Sequence, residues 1–355
     1  MERQSELPDK NILFIQEYRM RKFRRILTAL AVMFTVVFAA QAKSKKVIRI
    51  GSANGGGSRE FQGVLAVGKE LKLFEEEFAK IGYDVEYITL ENGVAINEAI
   101  LSNQLEFAFI GDVPGFVGLS NNIGSVWIGE DLGFSTLGIA VPNGFKLTSA
   151  KDLIGKTVAV NIGTNAHLLY AKYFEDSGVT ADQFTTVNLT LANGAASLVS
   201  GKVDAVFGDI TALYPLAQRG EIQLAFTTLE QPEWHSQLLL LGHKKFLKKN
   251  PTVGVAFFKA VIRARQEALK APEKYYSAIS ATALKDYPEL AKKLYNSDGQ
   301  LTTLKSKITE DQIRRAQSLV DYFQSIERIN GKHNVKNFID TSFYDKAASE
   351  LGITE

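Results

Sequence analysis

A fourteen-residue unit that occurs twice is the feature that most limits what this chain can fold into. Residues 99–112 and 196–209 each have the pattern of a helix end, a tight turn, a short apolar strand and then Gly-Asp. Strand starts are repeated as well, because apolar stretches ending in Gly51-Ser52 and Gly163-Thr164 each lead into a helix. Such alternation is typical of α/β layers around mostly parallel sheets. The sequence therefore predicts one α/β plan used twice, in two lobes.

The elements predicted around these units form two sets in the same order. In the first set we expect helices at residues 58–80 and 93–103, with strands at residues 47–53, 84–90, 107–111 and 125–128. In the second set we expect helices at residues 165–177 and 192–201, with strands at residues 157–162, 185–190, 204–207 and 223–226. Amphipathic helices at residues 251–271 and 309–326 follow, in a C-terminal part that we expect to pack against the first lobe.

Two apolar extended stretches indicate where the chain passes between the lobes. They are residues 135–142 and 238–242. Two crossings of this kind make a hinge. The predicted first lobe therefore comprises residues 46–136 and 238–355, and the second lobe comprises residues 137–237, each within the usual size of a domain.

The N-terminal segment has the order of a secretory signal peptide. Basic residues follow Met20, an apolar run extends from Ile26 to Ala40, and small residues end the segment at Ala42. The apolar run has 15 residues, whereas a helix that crosses a bilayer needs about 20. We therefore expect translation to start at Met20, cleavage after Ala42 and export to the periplasm, so that residues 1–42 take no part in the fold.

The composition argues against several classes of function. Of the 41 basic and 39 acidic side chains, seven basic and four acidic ones lie in the predicted leader, which leaves a net charge of −1. Binding to nucleic acid or to an anionic membrane depends on clustered Lys and Arg, so neither is expected. The chain has no cysteine, which excludes disulfides, thiolate metal sites and a lipid-modified cysteine. Catalytic motifs and histidines at metal-ligand spacing are also missing, so we predict no enzyme, metal or cofactor.

Four predicted strands end in residues that could hold a ligand. In open α/β sheets a ligand binds beyond the carboxyl ends of the strands, which would bring both Gly-Asp pairs and both glycine-hydroxyl pairs to one cleft. The predicted ligand-binding residues are Ser52, Asn54, Gly55, Gly111, Asp112, Val113, Gly163, Thr164, Asn165 and Asp209.

Several of these residues admit two explanations. The first N–H groups of the helix after Thr164-Asn165 suit an anion such as a sulfonate, phosphonate or carboxylate, but either residue could simply cap that helix. The glycine-rich loop 54–59 lacks the spacing of a nucleotide-binding loop, so its glycines are expected to let the backbone approach a small ligand. Asp112 and Asp209 could cap the helices that follow them, or bind an amine of the ligand.

Three motifs within residues 47–271 are shared with one family. Residues 111–114 are similar to its Gly-Asp-x-Pro turn, residues 152–165 to its Asp-Leu-x-Gly-Lys entry and Gly-Ser/Thr-Asn loop, and residues 201–205 to its Gly-x-Val-Asp-Ala stretch. In these motifs the chain resembles the aliphatic sulfonate, taurine and nitrate-type periplasmic binding proteins of ABC importers. The resemblance implies the type II periplasmic-binding-protein fold, an α/β fold of two lobes.

The resemblance also implies a function. We expect a monomeric periplasmic protein that binds a small anionic or zwitterionic molecule, sulfonate-like, near Thr164-Asn165, and delivers it to an ABC permease in the inner membrane. Where the family usually carries Trp-Asp-Pro-Tyr, residues 208–211 are Gly-Asp-Ile-Thr, so one wall of the pocket would be missing and the ligand could be bulkier or different. A ligand-sensing module, an enzyme, or a protein that binds a precursor such as the thiamine pyrimidine remains an alternative on this fold.

Overall fold

Two five-stranded sheets organise the part of the chain that the computed structural model describes, which is residues 46–53, 61–175, 177–229, 231, 234, 236–279, 286–295 and 306–353. The predicted leader and two predicted ligand residues, Asn54 and Gly55, lie outside the described residues. Within the described ranges, no helix combines the length and the apolar character that crossing a membrane requires.

The described strands follow the predicted ones closely. In chain order they are β1 (Lys46–Ala53), β2 (Tyr83–Leu90), β3 (Phe107–Gly111), β4 (Ser125–Ser135), β5 (Leu137–Val141), β6 (Thr157–Val160), β7 (Thr185–Asn188), β8 (Ala205–Asp209), β9 (Gln223–Thr227) and β10 (Ser236–His243). The described helices are α1 (Gly63–Glu70), α2 (Leu73–Ala79), α3 (Gly93–Leu101), α4 (Asp112–Ser120), α5 (Asn165–Glu175), α6 (Leu191–Val199), α7 (Ile210–Gln218), α8 (Lys244–Lys249), α9 (Pro251–Lys270), α10 (Pro272–Ile279), α11 (Pro288–Tyr295), α12 (Glu310–Ser325) and α13 (Ser342–Glu350).

The two sheets have the same topology. Their strand orders are β2-β1-β3-β10-β4 and β7-β6-β8-β5-β9. In each sheet the central strands are parallel (β1 with β3, and β6 with β7 and β8), and one strand (β10 or β5) runs antiparallel to both of its neighbours. The chain passes from one sheet to the other between β4 and β5 and returns between β9 and β10. The predicted fold class, an α/β protein with two lobes and two crossings, is confirmed.

The long helix predicted at residues 58–80 is wrong, because α1 and α2 are separate helices. The chain turns at Lys72, whose φ of 56° is left-handed. The turn brings Phe74 back onto Gly68, where a Cβ would overlap the Phe74 ring. Phe74 is fully buried, and burying a side chain of this size contributes roughly 1.5–3 kcal/mol. The predicted strand at residues 125–128 was also too short, since β4 continues to Ser135.

Apolar clusters cover both faces of the first sheet. On one face Phe107 of β3 stacks on Phe257 of α9, with 4.0 Å between the ring centroids. On the other face Trp127 of β4 meets the edge of Phe116 of α4 at 5.1 Å. Helix α13 packs against α9 on the first of these faces. The second sheet has smaller clusters under α5 on one face and α6 on the other.

Candidate functional site

A cavity of about 390 Å³ lies between the two sheets, at the ends of β1, β3, β6 and β8. Five of the predicted ligand residues line it: Ser52, Gly111, Thr164, Asn165 and Asp209. Three others, Asp112, Val113 and Gly163, are next to lining residues in the chain and are not part of the lining. We call this cavity the cleft. Its volume is that of a site for a small organic molecule.

Helix starts from both lobes meet at the cleft. Asn92 and Gly93 of α3 line it from the first lobe, and Asn165 of α5 and residues 190–193 at the start of α6 line it from the second. Asn92 caps α3, since its Oδ1 accepts from the N–H groups of Val94 at 3.0 Å and Ala95 at 3.1 Å. The first N–H groups of each helix have no acceptor within the helix and lie at the positive end of its dipole. The cleft therefore favours an anionic group at these helix starts.

The loop before α5 is a tight turn. Gly163 has a left-handed φ of 83°, a conformation that favours glycine. The hydroxyl of Thr164 donates to the carbonyl oxygen of Asn161 at 2.6 Å, and the main-chain N–H of Thr164 donates to the same oxygen at 3.3 Å. These bonds close the turn and leave the oxygen of the Thr164 hydroxyl able to accept a bond from a ligand.

Asn165 reaches across the cleft from the second lobe to the first. Its Oδ1 lies against Gly111, where a Cβ would overlap it. The same Oδ1 is buried and has no hydrogen-bond partner among the described residues. An unsatisfied buried acceptor costs about 1–3 kcal/mol, so a ligand that donates a hydrogen bond here would recover that free energy.

Acidic side chains form the other polar part of the cleft. Glu91, Asp131 and Asp209 line it, and its described lining contains no Lys, Arg or His. Asp131 is 2% exposed, and its Oδ1 accepts from the N–H of Val64 at 2.8 Å. Burial raises the pKa of Asp131 to about 8. Asp209 caps α7, since its Oδ1 accepts from the N–H of Thr211 at 2.8 Å. The cleft thus combines helix starts that favour an anion with the acidic residues Glu91 and Asp209, which favour a cation, while Asp131 holds a proton that it can donate in a hydrogen bond.

Asp112 lies under the cleft, at the crossing between the lobes. It is 3% exposed. Its Oδ1 accepts from the N–H of Val113 at 2.8 Å and its Oδ2 from the N–H of Gln237 at 2.7 Å. Burial raises the pKa of Asp112 to about 6, although these bonds oppose the shift. Nearby Glu130 is fully buried, and burial together with the charge of Asp112 raises its pKa well above the usual range. Asp112 joins α4 to β10 in this arrangement.

Sequence reasoning missed Asn92, Thr190 and Asp131. Asn92 and Thr190 are residues that favour N-caps, and they lie directly before helices at the cleft, so the logic applied to Asn165 would have found them. Asp131 gave no such signal, because it follows a strand predicted to end at residue 128 and acidic residues are mostly exposed. Leu191 is a further finding, since it packs over Gly208 and forms the cleft wall at the position where the resemblance implies a Trp.

Sequence comparisons give the same result as the motifs. The profile of the NMT1/THI5 like family matches residues 73–275. The chain is 26% identical to a Bacillus subtilis (strain 168) protein named for the binding of aliphatic sulfonates, over 87% of this chain and 90% of that protein. It is 28% identical to the taurine-binding periplasmic protein of Escherichia coli (strain K12), over 56% of this chain and 62% of that protein. The predicted resemblance is confirmed.

Solved structures share the fold. The sulfonate-binding protein SsuA from Methylobacillus flagellatus KT superimposes with a TM-score of 0.67 and 26% identity, over 88% of this chain and 96% of that one. The desulfurization enzyme DSZB superimposes with a TM-score of 0.64 and 12% identity, over 86% of this chain and 100% of that one. At that identity the likeness shows the fold alone, so one fold carries both binding proteins and an enzyme.

Proposed function

The chain belongs to the NMT1/THI5-like family, and from this premise we propose that it is the solute-binding component of an ABC importer. Its ligand is a small zwitterionic or anionic organic molecule with a sulfonate-like group, held in the cleft. The single observation that carries the proposal is the meeting of helix starts from both lobes at one cavity of about 390 Å³. The names of the relatives, which refer to aliphatic sulfonates and taurine, support the same class of ligand.

The orientation of the ligand follows from the polarity of the cleft. The anionic group binds at the starts of α5 and α6, where helix-terminal N–H groups of Asn165 and Leu191 lie. The other end of the ligand donates to the unpaired Oδ1 of Asn165 and lies toward the carboxyl group of Asp209. A zwitterion with an amine at that end satisfies both halves of the cleft.

The remaining assignments form part of the same proposal. The two lobes comprise residues 46–136 with 238–355, and residues 137–237, and they close over the ligand about the two crossings. The protein is an exported, periplasmic monomer that hands its ligand to a membrane permease. Binding without turnover is supported by the relatives, which are named for binding aliphatic sulfonates and taurine.

Thermal-shift and calorimetric titrations of the mature chain, from residue 43 onward, test this function. The probes are taurine, ethanesulfonate, nitrate and the thiamine pyrimidine precursor. We expect taurine to raise the melting temperature with increasing concentration, since a ligand at 100 times its Kd adds about 2.7 kcal/mol of stability. Ethanesulfonate lacks the amine, so we expect it to bind at least about tenfold more weakly than taurine.

Two variants test whether taurine binds in the cleft or elsewhere on the surface. Asn165→Ala should weaken taurine binding at least about tenfold, a loss of about 1.4 kcal/mol. Asn337→Ala, which changes an exposed asparagine outside the cleft lining, should bind as the unchanged protein does. No binding of any probe at millimolar concentration would contradict the proposal, and conversion of a bound probe, seen by mass spectrometry, would make the protein an enzyme.

A further inference from the structure

Helix α5 begins at loop 161–165, which contributes to the lining of the cleft. The first turn of α5 also packs against the opposite lobe. His167 is 7% exposed, and its ring lies edge-on to Phe323 of α12, with 6.1 Å between the centroids. Leu168 is 5% exposed and belongs to the apolar cluster that α12 forms with the first lobe. Helix α12, in the C-terminal part of the chain, therefore contacts the second lobe next to the cleft.

The imidazole of His167 also bonds to loop 161–165. Nδ1 of His167 accepts a hydrogen bond from the main-chain N–H of Gly163 at 3.4 Å. An imidazole nitrogen accepts only when it carries no proton, and both nitrogens are donors in the charged form. The loop geometry therefore requires the neutral imidazole. One side chain thus contacts both the loop that lines the cleft and the helix of the other lobe.

We propose that His167 is a positioning residue for the ligand, a latch that joins loop 161–165 to α12 and keeps the cleft closed only while its imidazole is neutral. The inference rests on the proposed function, in that this loop is taken to bind the ligand. Protonation would remove the acceptor for Gly163 and place an unpaired charge in the buried contact with Phe323, which costs free energy. Both changes open the cleft.

The charges around His167 also favour its neutral form. The charged group that acts on His167 is Arg328, which follows α12. The other titratable groups on the elements packed around it are Tyr170, Lys172, Tyr173 and Glu175 on α5, Asp112 on α4, Asp209 on β8, and Glu310, Asp311, Arg314, Arg315, Asp321 and Tyr322 on α12. Burial lowers the pKa of His167, and the positive charge of Arg328 lowers it further. The closed form therefore binds fewer protons than a form with an exposed imidazole, whose pKa is about 6.5. Closure is favoured above that pH and is lost as the pH falls below it.

Spin-label distances in the ligand-free protein test the latch directly. The chain has no cysteine, so Glu98→Cys on α3 and Ala196→Cys on α6, both exposed, place one label on each lobe. We expect one short distance at pH 8 and a longer one at pH 5. With His167→Gln, which is neutral and keeps an acceptor, the short distance should persist at both pH values. His333→Gln, a matched change at a half-buried imidazole outside the cleft lining, should respond as the parent does.

Two results of this experiment would overturn the latch. One is an unchanged distance between pH 8 and pH 5 in the parent, and the other is a pH response in His167→Gln equal to that of the parent. His167→Phe adds a second check, because it keeps a ring against Phe323 and removes the acceptor. It should be partly open at both pH values, so a change of distance between pH 8 and pH 5 as large as in the parent would also contradict the latch.

Taurine titration distinguishes a failure of the latch from a failure of the proposed function. Between pH 8 and pH 5 we expect Kd to rise at least about tenfold in the parent, mainly through faster release, and less than twofold in His167→Gln. Equal pH dependence in both proteins overturns the inference and leaves the function standing. If the parent binds no probe, the function fails, and the spin-label distances still decide whether the latch exists.

Discussion

The Gly-Asp pairs of the two lobes have the same sequence, but the strand pairing beside them ends one residue later in the second lobe. Gly111 is the last residue of β3 that pairs with β10, whereas Asp209 is the last residue of β8 that pairs with β5. Helix α4 consequently begins at Asp112 itself, and α7 begins one residue after Asp209. The aspartate of the first lobe is thus a helical residue, and that of the second lobe is a helix cap.

This one-residue difference separates two roles. Asp209 lines the cleft, whereas Asp112 binds the N–H of Gln237 where the chain returns to the first lobe. A repeated sequence thus reproduces the strand, the turn and the helix, while the pairing register of the antiparallel strand decides which aspartate lines the cleft.

Replacing each aspartate with alanine should give the largest difference between the lobes. Asp112→Ala leaves the buried N–H groups of Val113 and Gln237 without their acceptor, which we expect to lower the free energy of unfolding by about 3 kcal/mol. Asp209→Ala removes a helix cap and should cost about 1 kcal/mol. Urea unfolding of the mature protein measures both. Equal losses would mean that the shift in register has no energetic consequence, and Asp112→Asn, which keeps one acceptor, should fall between them.

Gly111→Ala tests whether the first lobe must lack a side chain at position 111, against Asn165. In Gly111→Ala the new Cβ would overlap Oδ1 of Asn165, so the lobes could not approach fully. We expect taurine affinity to fall by about 100-fold, or about 2.7 kcal/mol, with little change in stability. Gly194→Ala is the control, since the nearest atom to its Cβ would be 3.4 Å away. Unchanged affinity in Gly111→Ala would show that Asn165 is not held against this glycine when ligand binds.

Most of the fold could be predicted from the sequence, because its signals are local. Apolar strands ending in glycine and helices that start at Asn, Thr or Asp are visible in single segments. The break at Lys72 could not be predicted, since it depends on Phe74 packing back onto Gly68.

In the candidate site, too, local sequence reveals some residues and only the folded chain reveals others. Thr164 and Asn165 were found because they precede a helix. Asp131 was missed because its burial depends on the start of α1 meeting β4, two elements that are distant in sequence. The position of Asp112 under the cleft depends on the pairing of β3 with β10, which no single segment reveals.

Asp131 is the buried acid that lines the cleft from the first lobe, and its ionisation should give the next largest effect. Burial raises the pKa of Asp131 to about 8, whereas in an unfolded chain it is about 3.9. The folded state therefore holds a proton that the unfolded state releases, so this contribution to stability is complete below about pH 4 and is lost as the pH rises toward 8.

Asp131→Asn should consequently flatten the pH dependence of stability. Between pH 5 and pH 7 we expect the free energy of unfolding to decrease less steeply in this variant than in the parent, by about 1.4 kcal/mol per pH unit. Urea unfolding at a series of pH values measures the slope. Glu98→Gln, a change at an exposed acid, should leave the slope as it is, and a parent-like slope in Asp131→Asn would mean that this carboxyl is ionised in the cleft.

The smallest expected effect concerns the glycine-hydroxyl pairs, where Thr164 of the second lobe corresponds to Ser52 of the first. Thr164→Ala removes the bond from the hydroxyl to the Asn161 carbonyl, which loosens the turn and leaves the N–H groups of α5 in place. Taurine affinity should fall about three- to tenfold, while the free energy of unfolding changes by less than about 1 kcal/mol. Ser177→Ala is the matched control, because the Ser177 hydroxyl likewise donates to a carbonyl three residues earlier, at the far end of α5. Calorimetry that finds equal affinities for the two variants would remove Thr164 from the site and leave the helix starts alone to bind the anion.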